Sequence, residues 1–311
     1  MSKSTRKSQQ TGVALVMVLL VVALATTAAV AMISRQQIDI RRTENILHAD
    51  QAYLYALGAE DWARRFLVDD ANRNQADHLG EPWAVQLPPM PIEGGSVMGR
   101  LEELHSRFNL NNLVAENGLP SERHILQFQR LLQVLDLPPT LAQAVADWID
   151  LDQEPLAPYG AEDLTYLRSN FGYRTPNTRI RDIGELRLLA GMEETYYQVL
   201  RQHVWTLPTY TRVNVNTATP QVLMALIEGL DSGSAERLVE QRADEPFTNL
   251  QAFLAHEMLA GLGAEAADFG VKSEYFLLHA HANVGRGRAN LFTLMFRQGS
   301  QVWVLGRSQS I

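Results

Sequence analysis

Cysteine is absent from the 311 residues, which excludes disulfide staples and thiolate metal sites. An oxidising compartment stays open, because a chain this long can bury a core without them. No acid precedes Asp39, so all 35 carboxylates lie beyond the first apolar segment, in a chain of net charge −8. An acidic body argues against phosphate-backbone binding as its main work. Catalytic signatures are missing as well: there is no cysteine nucleophile, no G-x-S-x-G and no H-E-x-x-H. The acids cluster in one loop instead of facing each other across a cleft, as paired-carboxylate hydrolysis requires. His279 and His281 share a strand face at metal-ligand spacing without an evident third ligand, and read as strand-face residues. No enzymatic activity is expected.

What is present begins with a basic leader, "MSKSTRKSQ", carrying Lys3, Arg6 and Lys7, then Gly12. An apolar run follows from Val13 to Ile33, with Thr26 and Thr27 as its only polar members. A bilayer-spanning helix needs about 20 such residues, whereas a secretory signal core has about 7–15 followed by an A-x-A-like site. The run is therefore a membrane anchor, and the basic residues before it put the N-terminus in the cytoplasm. Helical spacing continues to about residue 68. Ile46, Tyr53, Leu57 and Phe66, with Leu47, Leu54 and Leu67 beside them, form a stripe expected to face a folded domain. A helix over 13–68 would measure about 84 Å at 1.5 Å per residue.

After the Pro- and Gly-rich "PWAVQLPPMPIEGG", "SVMGRLEEL" alternates as a strand. The C-terminus holds three more, "VKSEYFLLHAHANV", "RANLFTLMFRQ" and "SQVWVLGR", joined by "GRG" and "QGS" turns as a meander. Between these β regions, about 107–270, the periodicity is helical. The expected fold is α+β: a long N-terminal helix on a small antiparallel sheet, with a large all-α insert. The insert repeats itself. "FNLNNL" at 108–113 echoes "VNVNTA" at 213–218, and "DLPPTLAQAVADWID" aligns without gaps on "GLDSGSAERLVEQRA". "RDIGELRLLAG" and "TNLQAFLAHEM" follow as similar closing helices. Asparagine suits turns and caps, so the N-x-N motifs read as structural.

The second copy also resembles a helix-hairpin-helix unit, which gives the alternative function of a membrane-anchored DNA-binding protein. Those units hold a phosphate on a G-I/L-G hairpin. Here Asp231 occupies the second glycine position and would repel the phosphate. The densest chemistry is "DWIDLDQEPLAPYGAED" at 147–163, where Asp147, Asp150, Asp152, Glu154, Glu162 and Asp163 crowd one loop. Hard oxygen ligands without His or Cys favour Ca²⁺ over Zn²⁺. A solvated acidic surface is the other reading. The loop is not an EF-hand, since Pro155 replaces the glycine and Ala161 the final glutamate.

Basic leader, Gly12, an immediate membrane helix and its amphipathic extension resemble the type IV pilin class. That resemblance implies prepilin peptidase cleavage between Gly12 and Val13, with methylation of Val13. Met17 stands where most pilins carry Glu, a residue thought to pair with the terminal amine of the subunit ahead; a tip subunit has no such neighbour. D-W-I-D-x-D, G-A-E-D-x-x-Y ending at Tyr166, the paired N-x-N motifs and "VNVNTATPQVL" resemble the K-type minor pseudopilins of type II secretion. The resemblance spans essentially the whole chain. It implies a leader at 1–12, a membrane helix at 13–33, its amphipathic continuation at 34–70, a pseudopilin sheet from 71–106 and 271–311, and the insert at 107–270. The insert is implied to be two related SAM-like or helix-hairpin-helix-like subdomains. It further implies calcium in the insert, held by Asp150, Asp152, Glu162 and Asp163, with Asp147 and Glu154 as weaker ligands. The implied role is a tip subunit that initiates and caps the pseudopilus for export of folded proteins. Its expected partners are other minor pseudopilins, inner-membrane assembly components, secreted cargo and the outer-membrane channel, without nucleic acid. Its expected place is the inner membrane, with the body in the periplasm.

Overall fold

The computed structural model describes residues 11–86, 88–168 and 172–310, apart from the side chains of residues 11 and 12. Lys3, Arg6 and Lys7 of the leader lie outside the described residues. Helix α1 (Thr11–Arg73) runs unbroken for 63 residues, about 95 Å at 1.5 Å per residue. No proline interrupts it. Its most apolar 18-residue window has a mean hydropathy of 2.8 and none of it is buried. Among the described residues it is the one helix long and apolar enough to cross a bilayer.

The chain then forms β1 (Met90–Ile92) and β2 (Gly95–Glu103) and leaves for the insert. The insert's first half holds β3 (Phe108–Asn109), α2 (Glu122–Val134), α3 (Leu141–Ile149), α4 (Asp163–Leu167), α5 (Glu194–Leu200) and β4 (Val204–Trp205). Its second half holds β5 (Val213–Asn214), α6 (Pro220–Leu226), α7 (Ser232–Asp244), α8 (Leu250–Leu254) and β6 (Phe269–Gly270). The return strands are β7 (Tyr275–Val284), β8 (Gly287–Gln298) and β9 (Gln301–Ser308). The sheet has the order β1-β2-β7-β8-β9, antiparallel throughout.

The face that α1 turns to the sheet differs from the expected stripe. Ala52, Ala56, Glu60, Ala63, Leu67 and Asp70 are buried there, whereas Ile46, Leu47 and Leu54 point to solvent. Tyr53, Leu57 and Phe66 flank the contact, partly buried. The cause is close approach. The Gly285–Arg286–Gly287 turn presses on the helix so tightly that a Cβ on Gly287 would lie 2.3 Å from the His48 backbone. Alanine fits under such strands, and alanine carries little apolar signal. The contact is pinned by charge as well. Glu60, buried, accepts from Thr293 Oγ1 at 2.9 Å and from Nε and Nη2 of Arg307, each at 2.7 Å. Arg297 pairs with Asp70 in the last turn of the helix at 2.8 Å and with Asp77 beyond its end.

The insert joins the sheet at the end far from the apolar half of α1, where β2 ends and β7 begins. Each half opens on its N-x-N motif, whose first residues form a two-residue parallel ladder with the strand that closes that half: β3 with β4, β5 with β6. A purely helical insert was expected; two-residue strands are too short to show a pattern in sequence. The expected closing helix at "RDIGELRLLAG" is a 3₁₀ turn, Ile183–Leu188, opened by a capping box of Asp182 and Glu185. The second asparagine of each motif reaches across its own half. Asn111 donates to Ile180 O and accepts from Ile180 N, both at 2.9 Å. Asn216 does the same with Phe247 O and N, both at 2.9 Å. One core runs through both halves, from Phe108 to Phe269.

Candidate cation-binding site

Helix α3 is amphipathic, and its last turn carries Asp147, with Asp150 three residues on at its C-cap. Residues three apart share a helix face, so both carboxylates leave on one side. They stand at the carbonyl end of the helix, where negative charge is disfavoured. The chain then folds back. Gly160 passes so close that a Cβ there would lie 2.2 Å from Asp147 Oδ2 and 2.3 Å from Leu156 N, so no side chain fits. This return delivers Glu162 opposite the two aspartates.

One carboxylate oxygen from each of Asp147, Asp150 and Glu162 lies within 4.8 Å of the other two. All three residues are buried, with exposures of 0%, 1% and 3%. Asp147 accepts from Leu156 N at 3.2 Å. Glu162 Oε2 accepts from Thr175 Oγ1 at 3.2 Å. Both oxygens of Asp150 and Oε1 of Glu162 are buried without a hydrogen-bond partner among the described residues. Burial, reinforced by the neighbouring carboxylates, pushes Asp150 and Glu162 each up to about 7. Asp147 is raised to about 6, chiefly by burial. Nothing cationic pairs with the three among the described residues. The donor set is all hard oxygen, unpaired and enclosed, which fits a calcium ion.

The remaining acids stand apart from this trio. Asp152 is exposed at the rim; its side chain accepts from Glu154 N at 2.8 Å, and its charge raises Asp150 and Glu162. Glu154 is exposed. Asp163 is taken by other partners: Arg174 at 3.0 Å, and the backbone N–H and hydroxyl of Thr175, each at 3.0 Å. In this arrangement Asp147 joins the trio and Asp163 bonds elsewhere, whereas the resemblance implied Asp163 as the stronger ligand and Asp147 as the weaker. The three-residue step from Asp147 to Asp150 was the available signal. Asn177 adds another buried oxygen without a partner, and its Nδ2 donates to Asp152 O at 2.6 Å.

Two other sequence features resolve as structure. His279 Nε2 meets Glu102 at 2.8 Å, while His281 uses Nδ1 on Asn290 and Nε2 on Asn283, so both rings are occupied by polar neighbours. At the hairpin, Asp231 caps α7, accepting from Ser234 N at 3.0 Å and from its hydroxyl at 2.7 Å.

Comparison with known proteins adds an independent line. Two family models, both described as type II secretion system (T2SS) protein K, match residues 106–209 and 213–272. A type II secretion system protein K from Pseudomonas aeruginosa is 38% identical over 299 residues, covering 93% of this chain and 89% of the relative. One from Klebsiella pneumoniae is 35% identical over 321 residues, covering 97% of each. Among solved structures, a chain of the GspK–GspI–GspJ complex from enterotoxigenic Escherichia coli superposes with a TM-score of 0.77 at 25% identity, covering 87% of this chain and 99% of that one.

Proposed function

The chain belongs to the type II secretion system protein K family, and we propose that it is the tip subunit of the pseudopilus. Its nearly full-length likeness to a chain crystallised with GspI and GspJ carries this reading and supports other minor pseudopilins as its partners. The insert adds a second reason. It is bulky and sits at the end of the sheet away from the apolar anchor, a place that suits the end of a fibre better than a repeating position within one. Met17, in place of a lipid-buried acid, suits a subunit with none ahead of it.

Four roles complete the proposal. Prepilin peptidase cuts between Gly12 and Val13, leaving Val13 as the methylated N-terminus and α1 as the inner-membrane anchor. The face of α1 opposite the sheet docks companion helices: Ile33, Ile40, Leu47 and Leu54 recur every seventh residue there, all exposed. A seven-residue apolar repeat is what a helix offers to a parallel neighbour. Asp147, Asp150 and Glu162 hold a calcium ion that neutralises the pocket and fixes the loop of the insert, which faces cargo or the outer-membrane channel. The chain initiates and caps assembly by binding and presenting, without catalysis.

The test is co-expression of the full chain with its I- and J-type companions in a strain lacking its own gene. The proposal predicts a detergent-stable complex, a leader removed after Gly12, and restored export of folded proteins. Full export without the chain would contradict it, and Gly12→Ala should leave the leader attached.

A further inference from the structure

Beyond the acidic pocket, a cavity lies where the sheet meets the second half of the insert. It measures about 650 Å³ and includes Arg212, Lys272, Glu274 and His105 in its walls. A second hollow of about 220 Å³ shares Gln75 and Thr248 with it and continues over Ala76, Pro246 and Phe247. The two form one trench, within the size range of ligand clefts.

Its charge is unusual for this chain. Net charge is −8, yet two cations face the trench against one acid, Glu274. Lys272 is the only lysine outside the leader. Its ammonium donates to Gln75 Oε1 at 3.1 Å. Among the described residues, no carboxylate pairs with Lys272 or Arg212. His105 adds no charge: burial pushes its imidazole down to about 4, and its ring bridges Arg212 O at 2.9 Å and Glu274 N at 3.1 Å. Gly270 lines the same trench. A Cβ there would meet Arg212 Cβ and the Lys272 backbone at 3.8 Å, ordinary contact, and its backbone is not left-handed. Neither packing nor backbone demands glycine, and the missing side chain leaves that part of the trench open.

We propose that this trench binds an extended segment of a companion minor pseudopilin and holds one of its acidic side chains between Arg212 and Lys272. The inference rests on the tip-subunit reading above. Position argues for that occupant: Asn74, Gln75 and Ala76 follow directly on Arg73, the last residue of α1. A companion whose helix runs along the exposed face of α1 comes level with the trench there. The two unpaired cations call for a negative charge on the segment, and the apolar stretch over Pro246 and Phe247 takes its flanking part.

The experiment uses the full chain in detergent with its I- and J-type companions. Once the leader is removed, Lys272 carries the single ε-amine, so acetylation by an N-hydroxysuccinimide ester reads this site directly by mass spectrometry. Burial of a paired cation should lower Lys272 labelling about tenfold in the complex, and Arg212→Glu or Lys272→Glu should weaken association about tenfold. Lys272→Arg should preserve it. Gly270→Val should weaken association with the melting temperature unchanged; were that variant unstable, the two reversals on exposed side chains still decide. Equal labelling in both states, with every variant binding as wild type, overturns the trench and leaves the tip reading standing. Failure of the wild-type chain to form any complex overturns both.

Discussion

Asp150 and Glu162 face one another in a buried pocket with three carboxylate oxygens that no hydrogen bond satisfies among the described residues. Asp147 stands beside them, and among the described residues no cationic side chain pairs with the three. Buried anions in this state either take up protons or hold a cation.

Proton uptake gives a pH signature. Unfolded carboxyls titrate near 4, while in the folded, cation-free chain Asp147 is raised to about 6 and Asp150 and Glu162 to about 7. Between those limits the folded state binds more protons, so stability from this cluster is full below about pH 4 and is lost as pH rises through the folded values. In chelator, the melting temperature should fall from pH 5 to pH 8. Calcium should flatten that slope, as should the double variant Asp150→Asn, Glu162→Gln without calcium. The check is calorimetric melting across that range with and without the ion.

Asn216→Ala removes both partners of the Phe247 amide and leaves a buried N–H and C=O unpaired. Each such group costs about 1–3 kcal/mol, so a loss of about 2–6 kcal/mol is expected by urea unfolding. Asn111→Ala should cost at least as much, because Asn111 also donates to Leu207 O at 2.9 Å.

Arg297→Met should be severe. Arg297 is the cation among Asp70, Asp77 and Glu81, and burial with its acidic neighbours already raises Asp70 to about 6. Breaking a buried pair from one side costs about 3–5 kcal/mol. The loss should be smaller at pH 5 than at pH 8, since protonated Asp70 needs the guanidinium less. Denaturant midpoints at the two values measure it.

Leu54→Arg should leave the fold intact and damage assembly. Leu54 is 65% exposed on the face of α1 away from the sheet. A change there should shift stability by less than about 0.5 kcal/mol, whereas an arginine in a helix–helix seam should weaken capture by companion pseudopilins about tenfold. Co-purification yield and melting temperature, taken together, separate the two effects.

The long apolar helix, four of the five sheet strands and the internal repeat were legible, because apolar runs, alternation and N-x-N spacing are local signals. The sheet-facing side of α1 was not, since Ala52, Ala56 and Ala63 were chosen by strands more than two hundred residues away. The acidic loop was legible as a loop rich in carboxylate. Which of its acids converge was less so. Asp147 is brought in by the last turn of α3 and the tight return at Gly160, while Asp163 is drawn off by Arg174 and Thr175 from a later segment. Those choices are tertiary. The trench was invisible in sequence, because Arg212, Lys272 and Gln75 meet only when the insert closes on the sheet.

Titration of the chelator-stripped full chain with calcium in a calorimeter at pH 7.5 tests the pocket most directly. One ion per chain bound at Asp147, Asp150 and Glu162 should give saturable heat, release protons to the buffer, and disappear in Asp150→Asn and in Glu162→Gln. Absence of calcium-dependent heat in the wild-type chain, or binding unchanged in both variants, would contradict the site.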